Sequence, residues 1–412
     1  MGDNRHQGPL QGIRFDEEGL GQAVARVIVH ALDMPASDLL FTWNEKDVAV
    51  SVRHLGMPKR LATVSREEGR HVVSHIKALA GMDIAQKLRP LDGRMVLRLD
   101  DGRTADLRVN TIPTMYGEDM AVRLLQRDFD LRAVDQLGLH RGDLGLVKSL
   151  LNSPGGLILV TGPTGSGKTT TLYACLRYLN DGTRKINTIE DPIEYALEGV
   201  HQSSINPKIK LDFPELLRSV LRQAPDVIMV GEIRDPVTAE TAVRAANSGH
   251  LVLATLHAPT AAGAVDSMLS LDVHPHFLAS CLLGALTQRL ARTLCEHCKT
   301  SYDLSESPQT FDDVRPWLQP GQGERIYSAP GCPHCNQEGY TGRTGVFEVL
   351  RATKETRRLI ANRRTVREIR DKAVEQGMLD MRRSALLKVA EGITSTEEVI
   401  RVIPTEHLLP EE

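Results

Sequence analysis

The stretch GLILVTGPTGSGKTTTL, residues 156–172, limits the possible folds more than any other part of the chain. Leu157 to Val160 is an unbroken apolar run, which predicts a strand covered on both faces. Gly162 to Thr169 fits GxxxxGK[ST], and a helical pattern follows. The loop Gly162, Pro163, Thr164, Gly165, Ser166 and Gly167 would cradle a polyphosphate with backbone N–H groups at a helix N-terminus. Lys168 would reach the outer phosphates, and Thr169, followed by Thr170, would place a hydroxyl on Mg²⁺. The bare pattern arises by chance in about 1–2% of chains this long, and its seat between strand and helix disfavours an ordinary glycine turn further. The stretch predicts a nucleotide site.

Parallel α/β sheets bind ligands beyond the carboxyl ends of their strands. Three more apolar runs end in polar residues. Ile186–Ile189 leads to Glu190, Asp191 and Pro192; Val227–Val230 leads to Gly231 and Glu232; Leu251–Leu256 leads to His257. Neighbouring and parallel strands would bring these groups to one edge. His250 and His257 flank the last run, about 23 Å apart at strand rise and on opposite faces. His257 is therefore expected to face the γ-phosphate, and His250 to be structural.

With 412 residues the chain can hold two domains. Residues 1–34 read as a polar tail with at most one helix, neither signal peptide nor anchor. Residues 35–127 read as an α+β domain. It has a hairpin turning at Asn44–Asp47, a capping box at Ser65 and Glu68, Gly81 as a helix stop, and strands in TADLRVNT and EDMAVRLLQ. The charged residues 128–143 read as a linker. From 144 to 412 strand and helix patterns alternate, ending in helices over about 354–403 with capping boxes at Thr365/Glu368 and Ser395/Glu398. The most apolar run, Phe277 to Gln288, falls short of the roughly 20 residues a membrane helix needs.

Cys295-x2-Cys298 and Cys332-x2-Cys335 are paired knuckles suited to tetrahedral Zn²⁺. Four thiolates leave no open position, so a zinc there would be structural. Cys175 and Cys281 lie in apolar surroundings and read as core residues. In the N-terminal domain, Arg108 and Arg123 sit mid-strand, where ion pairs with Asp106 and Asp119 are the plain expectation. Arg218 and Arg222, four apart, predict one helix face. The basic stretch ETRRLIANRRTVREIRDK reads first as a solvated helix face, with anionic lipid or partner contact as the alternative.

TIEDPIEYALEGVHQ, LRSVLRQAPDVIMVGEIRD and ANSGHLVLATLH resemble the acidic box, Walker-B-like segment and histidine box of the secretion and pilus assembly ATPases. The resemblance runs from about Ala36 to Ile403, with five motifs in the family's order. It implies a RecA-like P-loop core, a PAS-like α+β N-terminal domain, a zinc-binding insertion at about 290–350 and a C-terminal helical subdomain. It implies Mg²⁺-dependent ATP hydrolysis driving type II secretion or type IV pilus assembly. Glu232 would be the general base, and Glu190, Asp191 and Glu194 would position metal and water. Arg108 and Arg123, with Arg94 more weakly, would be offered to bound nucleotide. A ring, a hexamer in the family, would work on an inner-membrane platform protein from the cytoplasmic face. Retraction relatives lack the four cysteines, which points away from that branch. Two departures stand out: about 34 residues precede the match where many relatives carry a further docking domain, and Ala258-Pro259-Thr260 replaces the family's Thr-Asn-Asp. The alternative, a RecA-like nucleic-acid translocase with a zinc ribbon, is disfavoured by a net charge of −3, an isoelectric point near 6.5 and 4% aromatic residues.

Overall fold

The computed structural model describes residues 19–34, 36–98, 104–126 and 131–408. The first 18 residues of the tail and residues 128–130 of the linker lie outside them. The chain forms two compact units, Met1–Asp130 and Leu131–Glu412.

The first unit is α+β. Helix α1 (Leu20–Asp33) precedes strands β1 (Ala36–Trp43), β2 (Asp47–His54) and β3 (Met57–Ser65). Helix α2 (Arg66–Leu79) and strands β4 (Leu91–Arg98), β5 (Thr104–Pro113) and β6 (Glu118–Gln126) complete it. The strands make one antiparallel sheet in the order β3-β2-β1-β6-β5-β4. Period-two alternation sends Leu39, Phe41, Leu107, Val109, Met120 and Val122 to the face that α1 and α2 cover. Ser65 caps α2 as a full capping box with Glu68, and Asn44 and Asp47 close the β1–β2 turn.

Register makes the other face polar. Asp38, Arg123, Arg108 and Arg94 are successive cross-strand partners over β1, β6, β5 and β4. Arg94 pairs with Asp106, Arg123 pairs with Asp38, and Asp119 accepts the Trp43 N–H. The expected pairing of Arg123 with Asp119 is thus corrected: β1 supplies the acid that reaches Arg123, and Asp119 is taken by the Trp43 N–H.

The second unit is a helix-covered, mostly parallel sheet. Its elements run α3 (Arg141–Leu151), β7 (Gly156–Thr161), α4 (Lys168–Leu179), β8 (Ile186–Glu190), β9 (Val200–Ser204) and α5 (Phe213–Val220). Then come β10 (Val227–Val230), α6 (Pro236–Asn247), β11 (Leu251–Leu256), α7 (Ala261–Ser270), α8 (Pro275–Cys281) and β12 (Leu282–Leu294). A small antiparallel pair, β13 (Thr300–Asp303) with β14 (Arg325–Ser328), belongs to the cysteine-bearing insertion. Strand β15 (Tyr340–Arg351) and helices α9 (Lys354–Ala361), α10 (Val366–Glu375), α11 (Met381–Ala390) and α12 (Thr396–Val402) end the chain.

The sheet order is β15-β12-β7-β11-β10-β8-β9, with only β15 antiparallel to its neighbour. Strands β7, β10 and β11 are buried at every residue, as two-sided coverage demands. The segment read as a linker is packed from Leu131 onward, since Val134 and Leu137 are buried with β7 and α4. Its charges mask two apolar anchors. At the C-terminus Ser395 accepts the Glu398 N–H, but the Glu398 carboxylate turns to Arg292 and Arg401 instead of closing the predicted capping box. Two guanidinium groups outcompete one backbone N–H for it.

Candidate functional site

Strands β7, β11, β10 and β8 are neighbours in parallel register, so their carboxyl ends share one edge. The phosphate loop leaves β7 there. Gly162 has φ 138°, and a Cβ on it would lie 2.5 Å from the Gln288 carbonyl oxygen. Gly167 caps α4 with φ 92°, so both positions need glycine. Gln288 on β12 donates to the Ser166 carbonyl at 2.8 Å and holds the loop from the far side. The Lys168 ammonium donates to the carbonyls of Gly162 (2.8 Å) and Pro163 (3.2 Å). Thr164 is exposed in the loop, and Thr169 and Thr170 are exposed at the start of α4, so the Thr169 hydroxyl is open to a metal.

Glu232 follows β10 and is the centre of the charged cluster. One carboxylate oxygen lies 2.9 Å from His257 Nε2, and the other accepts from Arg234. Arg234 also reaches Asp191 at 3.9 Å, tying the acidic corner after β8 to the one after β10. Burial works to raise the Glu232 carboxyl; the hydrogen bond and charge of Arg234 and the charges of His257 and Lys168 outweigh it, leaving the group below its ordinary value. Burial lowers Lys168, and Glu232 opposes that shift. Each group therefore feels the other across the loop. His257 is held by its neighbours: Ala258 N–H donates to Thr161 Oγ1 at 2.6 Å, and Ala261 N–H to buried Glu348 at 2.8 Å.

The remaining expected residues are distributed differently. Glu190 is buried, and its carboxylate accepts from Tyr173, Thr188 and Gln202 rather than facing the loop. Glu194 is half-buried, with its N–H directed at the Tyr173 hydroxyl at 3.4 Å. His250 sits before β11 with Nδ1 2.9 Å from the Ala245 carbonyl, a structural contact. Arg218 and Arg222 do not share one α-helix, because α5 ends at Val220; Arg222 donates to the Arg218 carbonyl from a tighter turn. Arg108 and Arg123 belong to the first unit, where Asp92, Arg94, Asn110 and Asp38 complete a shallow depression with them. Sequence reasoning missed Arg234, Gln288 and Tyr173. Arg234 stood two residues beyond Glu232, and Gln288 closed the apolar run that begins at Phe277.

Cys295, Cys298, Cys332 and Cys335 bring their sulfurs within 4.8 Å of one another. Three Sγ–Sγ separations are 3.9, 3.9 and 3.7 Å. A tetrahedral Zn²⁺ with bonds near 2.3 Å requires sulfur edges of about 3.8 Å, so the thiols fit that metal. Burial would raise Cys335, but the N–H groups of Cys332 and Gly339 outweigh it and bring the thiol down to about 6. Those two donors stabilise a thiolate ready to ligate. The four cysteines can hold a metal ion.

Comparison with known proteins agrees with the arrangement. The sequence model of the family described as "Type II/IV secretion system protein" matches residues 15–401. "Type II secretion system protein E" of Pseudomonas aeruginosa is 42% identical over 94% of this chain and 76% of its own length. "Type IV pilus assembly ATPase PilB" of the same organism is 40% identical over 94% of this chain and 68% of its own. Among solved structures, the pilus retraction motor PilT with bound ADP has a TM-score of 0.61 at 25% identity, covering 92% of this chain and 96% of its own. The Legionella pneumophila ATPase DotB has a TM-score of 0.66 at 19% identity, covering 97% of this chain and 96% of its own, which speaks to the fold alone. With its phosphate loop, acidic corners and cysteine knuckles in place, the chain belongs to the type II/IV secretion system protein family.

Proposed function

We propose that the chain hydrolyses ATP with Mg²⁺ between the phosphate loop and Glu232, and that as a ring it drives an inner-membrane secretion or pilus platform. The family makes it an ATPase motor of secretion or pilus assembly. The loop from Gly162 to Gly167 binds the phosphates and orients them. Lys168 gives up its carbonyl contacts for the outer phosphates, and the exposed Thr169 hydroxyl ligates Mg²⁺, which supplies charge neutralisation when bound. Glu232 takes the proton of the attacking water. His257 and Arg234 hold its two oxygens in place and keep it ionised, the state a base needs. Asp191, through Arg234, and Glu194 orient the water side. Arg108 and Arg123 bring positive charge to the γ-phosphate, from the same or a neighbouring subunit.

The four thiols hold a structural Zn²⁺ that organises the insertion. Among the described residues no helix is long and apolar enough to cross a membrane. The reading therefore seats the motor at the cytoplasmic face through its platform partner, as a homo-oligomer, a hexamer in the family.

One observation carries the hydrolytic assignment: Glu232 lies between His257 and Arg234 at the sheet edge that bears Lys168, and it is electrostatically coupled to that lysine. Glu232→Gln should preserve nucleotide binding and lower turnover about a thousandfold. Lys168→Ala should remove turnover by removing the phosphate contact. Turnover within about twofold of wild type in Glu232→Gln would refute the base assignment.

A further inference from the structure

The carboxylate of Glu190 ends β8 at 3% exposure and accepts three hydrogen bonds. Tyr173 Oη donates to one oxygen. Thr188 Oγ1 at 2.6 Å and Gln202 Nε2 at 3.0 Å donate to the other. All three donors are neutral. Tyr173 comes from α4, the helix opened by the phosphate loop; Gln202 comes from β9. The network thus joins elements that bracket the acidic residues 191–198.

That segment is tied to the same two side chains at three backbone points. Glu194 N–H points to Tyr173 Oη at 3.4 Å. Tyr195 O accepts from Gln202 Nε2 at 2.9 Å, and Leu197 N–H donates to Gln202 Oε1 at 2.7 Å. The Tyr195 ring meets the Tyr173 ring edge-on at 6.3 Å. Tyr173 lies four residues after Thr169, so both project from one face of α4, a helical turn apart. A shift of the Tyr173 hydroxyl would therefore move the acidic segment relative to Thr169.

We propose that Tyr173, Glu190 and Gln202 form a buried clamp that positions the acidic loop, with Asp191 and Glu194, against the phosphate-loop helix. Glu190 acts through this clamp and touches neither metal nor water; Tyr173 is its positioning residue on the helix. Such a network works at low dielectric, where made hydrogen bonds are strong and a missing one is costly. Burial first, then the hydrogen bond and charge of Glu190, raises the Tyr173 hydroxyl far above its ordinary value, so it stays a donor throughout the working pH range. The proposal rests on reading Thr169 as the metal ligand and the acidic loop as the water side.

The test is steady-state kinetics on the full chain with ATP and Mg²⁺ varied separately. Tyr173→Phe keeps the ring and deletes the hydroxyl. It should lower kcat about tenfold, leave KM for ATP within about twofold, and raise the Mg²⁺ needed for half-maximal rate. Glu190→Gln should give a loss of similar size, and the double variant should be little worse than either, as for residues acting as one unit. Gln202→Leu should follow the same pattern; if it fails to fold, Tyr173→Phe decides alone. Wild-type kcat in Tyr173→Phe, even with a lowered melting temperature, overturns the clamp. So does Glu190→Gln abolishing turnover while Tyr173→Phe leaves it intact, because Glu190 would then act directly. Lys168→Ala in parallel separates the two readings: retained turnover there refutes the site itself, whatever the clamp variants do.

Discussion

The edge around Glu232 and the cluster of four cysteines are both sets of converging polar groups, but they are finished to different degrees. At the sheet edge the partners are half out of the fold: the side chains of His257 and Arg234 are 55% and 61% exposed. Their interactions are pairwise, charged and open on one side, so a ligand can exchange for them. The sulfurs, by contrast, fill a tetrahedron among themselves, and backbone N–H groups already occupy Cys335. Four ligands of one kind leave no position for a substrate. The lesson is that openness, more than charge, separates a chemical site from a structural one in this chain. Perturbing the first should move rates; perturbing the second should move stability.

Stripping the zinc proposed for the four cysteines is the harshest test of that division. Structural zinc in small modules supplies on the order of 10 kcal/mol to folding. Chelation, or Cys298→Ser, should lower the melting temperature strongly and unravel the β13–β14 insertion in hydrogen exchange. Nucleotide affinity should change by less than about threefold, since the phosphate loop stands on β7 and α4. A larger loss of nucleotide affinity than of stability would erase the distinction.

A buried carboxylate sharpens the comparison at smaller scale. Glu398 is fully buried and saturated by Arg292, through both guanidinium and backbone N–H, and by Arg401. Arg292 in turn covers the Tyr340 ring at 4.0 Å. Burial would raise this carboxyl, yet the two arginines outweigh it and hold it below its ordinary value, as Arg234 does for Glu232. Similar titration shifts therefore accompany opposite roles. Glu398→Ala should cost about 3 kcal/mol of stability by leaving Arg292 unpaired against β12, with kcat nearly unchanged. Denaturant melts beside ATPase assays check both halves.

How far these sites could be read in the sequence follows from how local their physics is. The phosphate loop was legible because glycine spacing, lysine and hydroxyl act within one strand–turn–helix. The alignment of Glu232 with His257 was legible once parallel strands were assumed, since each stands within two residues of the end of an apolar run. Arg234 was not, because its direction depends on the turn after β10 and its second partner arrives from β8. Glu190 looked like its neighbours in the acidic box, yet strand alternation turns it toward α4, where Tyr173 waits. Strands β3 and β4 went unassigned for a different reason. Both are sheet edges, and Pro58, Lys59 and Arg60 or Asp92, Gly93 and Arg94 break the alternation that marks an inner strand.

The smallest expected effect concerns Asp143, a carboxyl outside both sites. It is buried in the first turn of α3, and burial raises it to about 7 although Lys388 opposes the shift. Lys388 is itself lowered by burial, with Glu391 and Asp143 acting to raise it, and His140 caps the same helix. The folded state thus keeps a proton that the unfolded chain gives up at ordinary carboxylate pH. Stability from this group is complete below that range and is lost as pH rises toward about 7. Asp143→Asn cannot titrate, so its melting temperature relative to wild type should climb from about pH 4 to about pH 7 and level off above that. Turnover per folded protein should stay the same at each pH, because no group at the nucleotide edge is touched. A flat difference in melting temperature would mean that Lys388 compensates the charge fully, and a matching change in kcat would extend the catalytic edge to α3.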